Sequence, residues 1–326
     1  MLEKYQRIKL GHFPTPIEHL RNITKYLGGP NIFIKRDDCT GLATGGNKTR
    51  KLEFLIPDAI KNKAELIVTV GAIQSNHARQ TAAACALMGL KCLIILEQRL
   101  NNAPESYMSS GNVFLDKLFG ADVKVCPKNE DVSKYSEKLI KDIKTKGTNV
   151  YFIPGGGSNP IGALGYVECL NEIIKENNKY NFSQIIHATG SAGTQAGLLA
   201  GRKYFNCNIP VIGICVRHKK DIQVDKVYEE AKKTCEKLNC NTLDRSDVIV
   251  YDEYIGSGYG EPTEGMIEAT KLLAKKEAIL LDPVYSGKAF AGLIGLIQNK
   301  KFTKNDNILF IHTGGTASLS AYEWAF

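Results

Sequence analysis

Short apolar runs alternate along this chain with longer segments in which apolar residues return every three or four positions. The runs predict strands at Ile32–Lys35, Glu65–Val70, Cys92–Glu97, Asp122–Cys126, Asn149–Pro154, Gln184–Ala188, Pro210–Val216, Val248–Tyr251 and Asn307–His312. Nearly all are followed by a turn and a helix-period segment. The alternation predicts an α/β architecture of open, twisted, mostly parallel sheets flanked by helices. A length of 326 residues allows more than one core. Weak boundaries near TGGNK and PGGGSNPIG predict a smaller α/β domain, 51–159, inserted into a larger one formed by 1–50 and 160–326.

The candidate chemistry sits where strands or loops run into helices. In TGGNKTRKLEF, two glycines and an asparagine precede Lys48, and an amphipathic pattern (Lys51, Leu52, Phe54, Leu55, Ile56) follows it. An amine held at a helix entrance, with bare backbone on its approach side, suits a carbonyl cofactor that condenses with it. A solvated lysine at a helix start is the competing reading of that segment alone.

Three further junctions bear on the choice. TVGAIQSNHARQ places Ser75, Asn76 and His77 at a helix start, where free N–H groups hold a carboxylate or polarise a phenolic oxygen. Ser75 and Asn76 also read as plain helix caps, and His77 as a surface residue. In ATGSAGTQAGLLAG, small residues let the N–H groups of Gly190, Ser191, Ala192, Gly193 and Thr194 converge on an anion, with hydroxyls from Ser191 and Thr194. The spacing is neither a dinucleotide fingerprint nor a Walker loop. Finally, LLDPVYSGKAFAGL and ILFIHTGGTASL bring Tyr285, Ser286 and Thr313 towards strand carboxyl ends, where open α/β sheets bind ligands.

Composition narrows the partners. The net charge of +8 is spread along the chain with no basic run, which predicts attraction for small anions and no nucleic-acid binding. The nine cysteines are odd in number and irregular in spacing, and several, such as Cys85, Cys92 and Cys215, lie in apolar runs. Reduced thiols, a reducing cytoplasmic setting and no metal site are expected. No apolar run approaches membrane-spanning length, and MLEKYQRIKLG has no signal-peptide core, so no membrane association is expected.

Taken in order, TGGNKTRKLEF, GAIQSNHARQTAA, TGSAGTQAG, GYGEP, LDPVYSGKA and HTGG resemble the D-cysteine desulfhydrase and 1-aminocyclopropane-1-carboxylate (ACC) deaminase family of pyridoxal-phosphate enzymes, over almost the whole length. The resemblance implies the tryptophan-synthase-β-like fold, fold type II, and a homodimer acting on a small amino acid. It implies that Lys48 binds the cofactor covalently, that Asn76 bonds its phenolic oxygen and that Gly190–Thr194 hold its phosphate. Ser75, with the Asn76 and His77 amides, would receive the substrate carboxylate, and Tyr259 and Tyr285 would face the substrate. ACC deaminases resemble VYEGK and HLGG where this chain has Ser286 and Thr313, the pattern associated with desulfhydrases.

The difference has a physical meaning. A carboxylate beside the cofactor's pyridine nitrogen keeps it protonated and makes a deep electron sink, whereas a hydroxyl can only hydrogen-bond a neutral ring. Opening a cyclopropane needs the deep sink; expelling thiolate from Cβ needs much less. The expectation is therefore elimination from D-cysteine to pyruvate, ammonia and hydrogen sulfide, with Lys48 as the base and Tyr259 or Tyr285 protonating the sulfur. ACC deamination, L-cysteate sulfo-lyase chemistry and a cofactor-carrying binding protein are the alternatives. For a sulfonate, Arg79 and Arg99 are the candidate cations, each also readable as a surface residue.

Overall fold

The computed structural model describes residues 2–100 and 102–326. Its strands are β1 (Ile17–His19), β2 (Asn31–Lys35), β3 (Leu66–Ala72), β4 (Lys91–Glu97), β5 (Asp122–Val125), β6 (Val150–Ile153), β7 (Gln184–Thr189), β8 (Val211–Cys215), β9 (Ile249–Tyr251) and β10 (Asn307–Ile311). They form a six-stranded sheet, β1-β2-β10-β7-β8-β9, and a four-stranded sheet, β5-β4-β3-β6. All pairs are parallel except β1–β2. The larger sheet draws on both ends of the chain, and the smaller one is built from the stretch between them. This is the expected α/β architecture of mostly parallel sheets flanked by helices.

Strands β7, β8 and β10 are buried along nearly their whole length, as a parallel sheet covered on both faces requires. Each expected strand is present, with ends shifted by a residue or two. The added strand is β1, whose IEH gives no alternation to read; it is held by antiparallel pairing of Ile17 to Lys35 and His19 to Phe33.

The helix expected after Lys48 begins at Lys48 itself and runs to Lys61. It is not amphipathic in place: every residue from Lys48 to Pro57 is buried, because the helix is packed against both Pro160–Tyr180 and Asn76–Met88. Gly165 of the helix Pro160–Tyr180 lets that helix come down on it, since a Cβ there would lie 2.4 Å from the Arg50 carbonyl oxygen. Pro57 has no N–H to return to the Glu53 carbonyl. That carbonyl instead accepts the Ile8 N–H at 3.0 Å, while the Glu53 side chain accepts the N–H groups of Leu10 and Gly11. The carbonyl freed by Pro57 thus anchors the N-terminal segment.

Among the described residues no helix is long and apolar enough to cross a membrane, and no cluster of three or more metal-ligating side chains occurs. The nine cysteines are unpaired.

Candidate active site

The loop before Lys48 is shaped by glycines. Gly45 and Gly46 take φ of 79° and 133°. A Cβ on Gly314 would lie 2.6 Å from the Cα of Gly46, so the two loops touch only because both positions lack side chains. The Gly46 N–H donates to Thr40 Oγ1 at 2.7 Å, and the Asn47 N–H to the Thr313 carbonyl at 3.0 Å. Gln80 Oε1 accepts the Thr49 N–H at 2.9 Å, so Asn47 is not needed as a cap. Its free amide bridges instead: Oδ1 accepts from Lys48 Nζ at 2.7 Å, and Nδ2 donates to Thr194 Oγ1 at 3.0 Å. Lys48 is only 8% exposed. Burial pushes its amine down to about 8, with Asp282 opposing and Arg79 reinforcing the shift.

Facing this amine is the turn after β7. Ala192 holds a φ of 76°, and the helix Gly193–Tyr204 starts with no side-chain cap. Ala188–Ala192 and Thr194 at this helix start line a cavity together with Asn47, Lys48, Asn76, Tyr285 and Thr313, a setting that suits an anion. PGGGS, read from the sequence only as a boundary, supports this turn. Ser158 Oγ accepts the Gly193 N–H at 3.1 Å and donates to Ser191 Oγ at 2.9 Å. Lys51, buried one turn beyond Lys48, donates to the Gly156 carbonyl at 2.9 Å. Burial, and then the neighbouring Lys48, hold its amine well below the usual lysine range.

At the helix Asn76–Met88, Ser75 is the N-cap, its Oγ accepting the Ala78 N–H at 3.1 Å. Asn76 Oδ1 accepts from Arg79 Nη1 at 3.0 Å and from Asn112 Nδ2 at 2.9 Å. Those bonds turn its Nδ2 towards Gly315, where a Cβ would stand 2.7 Å from it. His77 is not a surface residue: its side chain is buried with Nε2 2.8 Å from Thr69 Oγ1, and burial, then Lys48 and Lys51, keep the ring neutral. Only its backbone amide remains at the helix start.

Tyr285 and Tyr259 meet hydroxyl to hydroxyl at 2.5 Å, with rings nearly perpendicular at 75°. Lys48 Nζ lies 5.7 Å from the Tyr285 ring centre, and the Arg99 guanidinium 5.0 Å from that of Tyr259. Burial and the Tyr259 hydroxyl hold the Tyr285 phenol well above its ordinary range, so it stays protonated.

Two readings change here. Ser286 does not stand in the cavity wall. It is the first residue of the helix Ser286–Gln298, and its Oγ donates to Asp282 Oδ1 at 2.6 Å and accepts the Asp282 N–H at 2.8 Å. Thr313 does line the wall. Arg79 is neither a surface residue nor a free cation: it is fully buried, bonding Asn76, Asn112 and, at 2.7 Å, the Gly45 carbonyl. Arg99 is half-buried and paired with Glu97. Sequence reading missed Asn47, Lys51, Ser158 and Asp282. For Asp282 a signal existed, an aspartate just ahead of a helix start, and it accepts the N–H groups of Val284, Tyr285 and Ser286 at 3.0, 2.9 and 2.6 Å.

These residues fit a planar aldehyde that carries a phosphate. A helix start whose Gly193 N–H alone is taken, by Ser158, leaves its other N–H groups and two hydroxyls for the anion, a poised amine stands across from it, and Gly190 leaves room where a Cβ would lie 3.1 Å from Val216 and 3.7 Å from the Tyr285 ring.

Comparison with known proteins agrees. The chain is similar over 99% of its length to a crystal structure described as an ACC deaminase homologue, with 37% identity, a TM-score of 0.90 and 96% of that chain covered. A hydrogen sulfide-producing enzyme from Fusobacterium nucleatum shares the fold at 17% identity and a TM-score of 0.66, with 95% of this chain and 97% of that one covered. Residues 8–314 match the family described as pyridoxal-phosphate dependent enzymes. The protein belongs to that family of pyridoxal-phosphate-dependent enzymes.

Proposed function

We propose that this protein eliminates the β-substituent of D-cysteine and related β-substituted D-amino acids. With water, D-cysteine gives pyruvate, ammonia and hydrogen sulfide. Bound pyridoxal phosphate supplies the electron sink that lets the Cα–H bond of an amino acid break. Gly190–Thr194 would hold its phosphate, Asn76 its phenolic oxygen, and Thr313 would face the ring.

The observation that carries the reading is the Lys48 amine. It is buried, bonded to a neutral amide and poised at about 8, so a useful fraction is unprotonated at neutral pH and can take the α-proton. Ser75 and the amides of Asn76 and His77 receive the substrate carboxylate at the helix start. Tyr285, kept protonated, hands a proton to the departing sulfur, with Tyr259 behind it to share the charge. Among the described residues the cavity wall carries the Thr313 hydroxyl and no carboxylate, which favours expulsion of a good leaving group over ring opening. Likeness to an ACC deaminase homologue favours ACC deamination as the second reading. We read the enzyme as a homodimer.

Purified holoenzyme tested on D-cysteine, L-cysteine, ACC and L-cysteate decides. Hydrogen sulfide and pyruvate should form fastest from D-cysteine. A four-carbon ketoacid from ACC as the main activity would favour the second reading, and no turnover of any of them would reject both.

A further inference from the structure

Helix Ser286–Gln298 carries a second buried lysine, Lys288, at 0% exposure, and the chemistry above gives it no task. Its Nζ donates to the carbonyls of Ile255, at 2.6 Å, and Gly258, at 2.9 Å. Both belong to the irregular segment between β9 and the helix Glu264–Glu277, and Gly258 immediately precedes Tyr259. On the other side of Tyr259, the Gly260 carbonyl accepts from the Tyr322 hydroxyl at 2.9 Å. Gly256 and Gly260 take φ of 76° and 82°, so the backbone itself does little to fix this segment. Glu261 and Asp282 are the carboxylates that bear on Lys288, and neither bonds it. A buried ammonium held only by carbonyls is costly, and a methionine of similar shape would fill the space more cheaply. Stability alone does not account for a lysine there.

We propose that Lys288 is a positioning residue: its ammonium clamps the 255–258 backbone so that the Tyr259 hydroxyl stays on that of Tyr285. The inference rests on the proposed function only in assigning the tyrosine pair to the substrate's departing group.

The test combines hydrogen exchange with a double-mutant cycle. In Lys288→Met holoenzyme, amide exchange across 252–263 should rise at least about tenfold while β10 keeps its protection. On D-cysteine, kcat should fall about a hundredfold with KM nearly unchanged, as expected when the proton donor Tyr285 loses its partner hydroxyl. Tyr259→Phe should show a similar loss, and the double variant little more than either alone. Unchanged exchange in the loop, or losses that multiply in the double variant, would overturn the clamp. Should the methionine variant not fold, Lys288→Gln, which keeps one donor, carries the same two readouts with smaller effects. Raised loop exchange in a protein whose wild type turns over no amino acid would sink the proposed function and leave the clamp standing.

Discussion

Lys48 and Arg50 lie two residues apart on one helix, at 8% and 1% exposure, in opposite electrostatic settings. Arg50 is saturated. Its guanidinium donates to both Asp37 oxygens at 2.8 Å and to the Glu172 oxygens at 2.8 and 2.9 Å. Tyr166 bonds Asp37 at 2.6 Å, and Lys35 pairs with Glu172 at 2.8 Å. Burial alone would raise the Asp37 carboxyl, but the Arg50 charge, with its hydrogen bonds and Lys35, holds it at about 2. Lys48 has one amide oxygen and no bonded carboxylate. A buried charge that is fully paired fixes the helix in place; a buried amine left almost unpaired keeps its lone pair available for chemistry. The arginine network thus fixes the helix that carries Lys48.

The largest effect should come from Lys48→Ala. Elimination should fall at least about a thousandfold, while folding stability and part of the cofactor binding survive, because the phosphate turn is separate. Borohydride reduction of the wild type followed by peptide mass analysis should place the cofactor on the Lys48 peptide. Label on Lys51 or Lys288 would break the contrast.

Arg50→Ala attacks the other side. Leaving Asp37 and Glu172 buried without their partner should cost about 3–5 kcal/mol, read from denaturant midpoints. A loss below about 1 kcal/mol would mean that the network is not what anchors the helix.

A smaller effect is expected at Asn47. Its Oδ1 favours the ammonium form, so Asn47→Ala should move the Lys48 midpoint further below 8 and lower kcat about tenfold. The midpoint can be followed by pH-dependent labelling of cofactor-free protein with an amine reagent. Because the folded-state pKa lies below the ordinary 10.5, Lys48 should also make wild-type stability rise as pH climbs from about 8 to 10.5, and Lys48→Met should make that slope shallower, the lowered amines of Lys51 and Lys288 keeping their share.

The smallest change tests Ser286. With its hydroxyl spent on Asp282, Ser286→Ala should lower stability by about 1 kcal/mol and leave the ratio of D-cysteine to ACC turnover unchanged. A shift in that ratio would show that the hydroxyl reaches the reacting centre after all.

Much of this was legible before any coordinates. The strands followed from apolar runs because parallel sheets bury both faces, and the Lys48 and Gly190–Thr194 loops stood out because glycine and small residues mark close approach of backbone. Asn47 was quoted only as part of its loop, since nothing local says that a cap residue will be relieved of capping by Gln80, thirty-one positions away from the Thr49 it serves. Arg79 read as a surface residue for a similar reason: its partners, Gly45 and Asn112, are brought to it by other elements.

What the sequence determined by itself is local: which segments become strands or helices, where backbone is bare, and which lysine stands at a helix entrance. Those depend on side-chain period, capping and steric freedom within a few residues. Only the tertiary structure decided which buried charges are paired and which are not. It withdrew Ser286 into a bond with Asp282, turned His77 inward to Thr69, and left Lys48 almost alone beside Arg50's crowded partners. The strength of a charge depends on burial and on groups contributed by distant parts of the chain, so it is settled only when the helix is enclosed.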